Sequence, residues 1–72
     1  MKAQIQIITP LGEFNCDVME VTTEEYQNLI DMSKEVHTSK SEFYSYLEDG
    51  VTHITIPPDI IRQSIVLVKV ID

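Results

Sequence analysis

At 72 residues the chain is one small domain, and a domain this short buries a smaller share of its surface than a larger one, so its stability is marginal without help. Twelve acidic residues against five basic ones give a formal charge of −7, which opposes the phosphate neutralisation that direct DNA or RNA binding requires. Cys16 alone cannot build a disulfide framework, His37 and His53 are too few for a metal cage, and no run approaches the roughly 18 to 20 apolar residues that cross a bilayer. No membrane association, metal or cofactor is therefore expected. With staples ruled out, association into a homo-oligomer is the expected remedy for small size. The opening MKAQIQIITP lacks the apolar run of a signal peptide, so the expected location is the cytoplasm.

Lys2 to Thr9 alternates, with Ala3, Ile5 and Ile7 on one side, as a half-buried strand should. Pro10, Leu11 and Gly12 supply turn chemistry, and Glu13 to Met19 alternates again with Phe14, Cys16 and Val18 on one side. Centring the turn on Leu11 and Gly12 sets Ile7 opposite Cys16 and Ile5 opposite Val18, which keeps both apolar sets on one face.

Thr22 followed three residues later by Glu25 is a capping box, with Val21 and Tyr26 placed as a hydrophobic staple and Glu24 and Glu25 where the helix dipole favours negative charge. A helix starts there. Tyr26, Leu29, Ile30, Ser33 and Val36 trace its apolar stripe, while Glu25, Asp31, Lys34 and Glu35 lie largely away from it. No glycine marks its end, and the polar stretch from His37 to Glu42 reads as a connecting loop.

Phe43 to Glu48 and Val51 to Ile56 flank Asp49-Gly50, the signature of a type I′ hairpin. That turn pairs Phe43 with Ile56, Ser45 with Ile54 and Leu47 with Thr52 on one face. It pairs Tyr44 with Thr55, Tyr46 with His53 and Glu48 with Val51 on the other. Pro57 and Pro58 end the strand, and Asp59 to Ser64 has room for a short helical turn. Ser64 to Ile71 is apolar on both parities, Val66, Val68 and Val70 alternating with Ile65, Leu67, Lys69 and Ile71. Such a strand reads as buried twice, yet one helix covers one face of a sheet, so Ile65, Leu67 and Ile71 are candidates for an oligomer interface. The order β-β-α-β-β-β gives an α+β domain spanning residues 1–72, a mostly antiparallel sheet of about five strands with one amphipathic helix on one face.

No phosphate-cradling loop, nucleophile elbow or paired-histidine motif is present, so the chain is read as a non-enzymatic binding or accessory protein. Cys16 sits on the helix-facing parity as a small core residue, which argues against a thiolate pair with His53. Tyr44, Tyr46 and His53 share a face that is either ordinary cross-strand packing or a surface for a partner or ligand. A nucleotide-type ligand held there at a subunit junction is one alternative function. Glu24, Asp31 and Glu35 suggest another, an acidic helix face that mimics DNA phosphates and inhibits a nucleic-acid enzyme or a defence nuclease.

Taken together, EFNCDVMEVTTEEYQNLI, FYSYLEDGVTHITIPPDII and SIVLVKVI resemble the small acidic accessory proteins encoded by phages and prophages of Gram-positive bacteria. The resemblance implies homo-oligomers, some of which inhibit or sequester host factors such as DNA-processing enzymes and antiviral systems. It carries over no individual functional residue.

Overall fold

The computed structural model describes residues 1–71 and shows an α+β fold of antiparallel sheets with one main helix. Its elements are β1 (Lys2–Thr9), β2 (Gly12–Asn15), β3 (Met19–Glu20), α1 (Thr23–Glu35), β4 (Phe43–Tyr46), β5 (His53–Ile56), α2 (Pro58–Ile61) and β6 (Ile65–Val70). β1 is central, paired with β6 along one side and with β2 and then β3 along the other, every pairing antiparallel. β4 and β5 form a second, two-stranded sheet. The expected short helical turn after the prolines is α2, with Pro58 at its start where a missing N–H costs nothing.

The first hairpin differs in register from the expected one. Thr9 pairs with Gly12 and Ile7 with Phe14, so Pro10 and Leu11 form the tip and the strands sit two residues closer to it. Sliding by two preserves parity, which is why the apolar faces still agree. Thr9 Oγ1 accepts from Leu11 N–H at 3.0 Å and donates to Gly12 O at 2.9 Å, and the unusual φ of 151° falls on Gly12.

Cys16 N–H still bonds Ile5 O at 2.8 Å, but Ala3 then pairs with Met19, one residue more than a continuous ladder allows. The extra residue is a bulge at Asp17 and Val18, and the Gln4 side chain donates to Cys16 O beside it at 3.0 Å. The bulge reverses parity. Val18, expected in the core, is 41% exposed, while Met19 packs against the core.

The capping box is present in full, Thr22 N–H donating to Glu25 Oε1 at 2.9 Å and Glu25 N–H to Thr22 Oγ1 at 3.1 Å. Thr22, through its backbone N–H first and its side chain second, holds the Glu25 carboxyl below its ordinary pKa. α1 lies on the Ala3, Ile5 and Ile7 face of the sheet through Leu29, Met32 and Val36. Met32 thus joins the stripe; Tyr26, Leu29, Ile30, Met32 and Ser33 are all half-buried, and of these Leu29 and Met32 pack against the core. The helix passes into a 3₁₀ turn, Val36–Thr38, and α2 is tied to this region by Arg62 Nη1 donating to Ser39 O at 2.7 Å.

The second hairpin has the expected register from Phe43↔Ile56 to Tyr46↔His53. Its turn is not type I′. No non-glycine residue described has positive φ, so Asp49 cannot take the left-handed conformation that type I′ demands. Gly50 N–H instead bonds Leu47 O at 2.9 Å, and Gly50 alone turns left-handed at φ 74°. The Asp49 carboxylate accepts from Val51 N–H at 3.0 Å and Thr52 N–H at 2.8 Å, and also from the Thr52 hydroxyl. The two sheets meet where Asp17 N–H donates to Tyr46 O and Glu48 N–H to Asn15 O, both at 3.0 Å, around a Cys16↔Leu47 bridge.

One core results, built on Ile5, Ile7, Cys16, Val36, Ile56 and Ile61, with Phe43, Ile54, Ile60 and Val66 at its margin. The helices and the β4–β5 hairpin all contribute to this core on one side of the β1-centred sheet. The one buried polar side chain described, Ser64, donates to Ile60 O at 2.8 Å and so enters the core satisfied.

Candidate interaction surfaces

The molecule presents three distinct surfaces: the outer face of the β4–β5 hairpin, the outer face of the β1–β6 pair, and the acidic side of α1. The hairpin alternates, so Phe43, Ile54 and Ile56 face the core and Tyr44, Tyr46 and His53 face out. The outward rings cluster. His53 meets Tyr44 in a stacked arrangement with centroids 6.0 Å apart and Tyr46 edge-on at 5.4 Å. Tyr44 is 67% exposed and Tyr46 55%, so these rings do not pack into the core and remain open to a second molecule.

Cys16 and His53 are not brought together. The cysteine is fully buried in the core, whereas His53 is exposed on the far face of the hairpin. Burial pushes the Cys16 thiol above its ordinary pKa, with the Ser45 side chain acting in the opposite sense, so its protonated form is favoured. Among the described residues, no three histidine, cysteine, aspartate or glutamate side chains converge as a metal site would need. No helix among them is long and apolar enough to cross a membrane.

On the β1–β6 pair, Gln4, Gln6 and Ile8 stand opposite Lys69, Leu67 and Ile65 on the face away from the core. Ile65 is 56% exposed, Ile71 44% and Leu67 37%. The doubly apolar strand is therefore not buried twice. It is an edge strand with Val66 and Val68 half-buried toward the helix side and a bare apolar strip on its other face.

A feature missed in the sequence is the distribution of charge over this fold. Every Asp and Glu except Asp72 lies between Glu13 and Asp59, so β1 and β6, far apart in sequence and adjacent in space, carry no carboxylate. Glu24, Asp31 and Glu35 are all exposed on α1, with Gln27 Nε2 donating to Asp31 Oδ1 at 3.1 Å. Two hollows were also unforeseen. One of about 180 Å³ is lined by Leu11, Phe14, Ile54, Ile56 and Ile60 among others, and one of about 340 Å³ lies between the α1 end and Phe43. Both depend on side chains from distant segments.

No protein-family model, curated protein or solved structure matches this chain.

Proposed function

We propose that the chain is a non-enzymatic binding protein that works as a homo-oligomer assembled through β6, with the Tyr44, Tyr46 and His53 rings left to contact a partner. The observation that carries this reading is the exposed strip of Ile65, Leu67 and Ile71 on a pair of strands free of carboxylates. Apolar surface gains by leaving water, and at this place the net negative charge of the molecule opposes association least. A cytoplasmic location and a phage accessory role are part of the same proposal. Light scattering over a concentration and salt series tests it. A mass above the monomer, lost in Leu67→Glu with an unchanged circular dichroism spectrum, is expected; a monomer at every concentration overturns it.

The separation of charge favours a second reading, in which the acidic remainder of the molecule occupies a basic groove on a nucleic-acid enzyme or defence nuclease. Reversing Glu24, Asp31 and Glu35 to lysine should then abolish inhibition of such an enzyme and leave the fold intact. Full inhibition by the triple variant would refute the helix-face version.

A further inference from the structure

The antiparallel register with β1 fixes the direction of the backbone groups of β6. Ile71 N–H donates to Lys2 O at 2.9 Å, and the β1–β6 register continues from there in steps of two. Lys69, Leu67 and Ile65 therefore direct their N–H and C=O groups at β1, while Val66, Val68 and Val70 direct theirs away from it. The other side of β1 agrees, since Ile5, opposite Val68, offers its carbonyl to Cys16 N–H. Among the described residues the outward groups of these three valines meet no hydrogen-bond partner.

An open edge of this kind is ordinarily blunted by proline, a bulge, extreme shortness or charged side chains, lysine above all. β3 has two residues, and β5 has four and runs into Pro57 and Pro58. β2 is continued by the Cys16↔Leu47 bridge to the second hairpin. β6 has six residues, no proline, an unbroken ladder against β1 and a single charge, Lys69, whose side chain lies on the outer face.

Resting on the reading that the chain self-associates, we propose that two copies join edge to edge through antiparallel pairing of β6, in the register that sets Val68 opposite Val68 of the second copy. In this register Val66 pairs with Val70 of the second copy, and all the outward groups of the three valines are used. On the outer face Ile65 meets Ile71 of the second copy, and Leu67 meets Lys69. The two ammonium groups thus avoid direct opposition, which a register centred on Lys69 would impose. A register centred on Leu67 would set Val70 opposite Ser64, outside the strand, and leave its outward groups unpaired. β1 and β6 themselves carry no carboxylate and Asp72 follows only after Ile71, so repulsion opposes this approach less than it would elsewhere on the molecule. Interfaces below about 1,200 Å² are typically weak, so pairing along one short edge should be concentration-dependent.

Amide hydrogen exchange followed by NMR from micromolar to millimolar protein, alongside the solution mass, tests the pairing. The N–H groups of Val66, Val68 and Val70 should slow in step with the rise in mass, while Leu67, Lys69 and Ile71 stay slow throughout. Oligomers in which the three valine amides remain fast would overturn edge pairing and leave self-association standing; a monomer throughout would overturn both. On a Cys16→Ser background, oxidation should cross-link Leu67→Cys mixed with Lys69→Cys. Efficient cross-linking of Leu67→Cys alone would instead place the centre at Leu67 and refute the proposed register.

Discussion

Both halves of the molecule are antiparallel pairings of alternating strands, yet β1 with β6 and β4 with β5 are put to opposite uses. β1 has neighbours on both sides, and Ala3, Ile5 and Ile7 are buried while its polar set is half-covered. The β4–β5 hairpin is linked by backbone hydrogen bonds to the β1-centred sheet where residues 15–17 meet 46–48, and it packs Phe43, Ile54 and Ile56 into the shared core, while its outer face remains wet and aromatic. The same period of two thus yields a structural centre in one place and a presented surface in the other. Neighbouring strands make the difference, because they decide how much of each face water can reach.

Replacing a side chain on each pairing should expose this contrast. Ile7→Ala empties a fully buried site at the centre and is expected to cost about 2–5 kcal/mol in urea unfolding. A loss of no more than about 0.5 kcal/mol, the range of surface changes, would mean that β1 is not the structural centre. Gly50→Ala strains only the hairpin turn. A Cβ there meets nothing closer than Asp17 Oδ2 at 3.7 Å, so the cost is the left-handed φ alone, about 1–2 kcal/mol by the same assay.

Acid should loosen the hairpin turn before the centre. Hydrogen bonds from Thr52 and Val51 hold the Asp49 carboxyl below its ordinary value of 3.8. A lowered folded pKa gives a contribution present in full above the ordinary carboxylate range and lost as pH falls through the lowered value. After correction for intrinsic exchange, the Val51 and Thr52 amides should lose protection on acidification while Ile5 and Ile7 keep theirs; simultaneous loss would show one cooperative unit instead. The smallest effect is expected at the rings. Tyr44→Ala should change stability by no more than about 0.5 kcal/mol, and a larger loss would reassign the cluster from presentation to packing.

Much of this contrast could be read from residues close in sequence. The Thr22/Glu25 box, the hairpin register around Asp49-Gly50 and the outward set of Tyr44, Tyr46 and His53 depend on spacing within a few residues, and the structure shows each. The bulge at Asp17 and Val18 was not legible, because Val18 and Met19 are both apolar and either could occupy the inward site. The turn departs from type I′ because Asp49, its φ negative, satisfies two backbone amides with its carboxylate.

By itself the sequence determined an α+β domain, its helix start, its second hairpin and the excess of apolar residues in the last strand, since each depends on short-range periodicity or capping. Only the tertiary structure decided that this last strand lies at an edge, that its partner is the equally carboxylate-free first strand, and that the valine amides point outward. Those facts depend on which distant segments become neighbours, and alternation along one strand carries no information about what lies beside it.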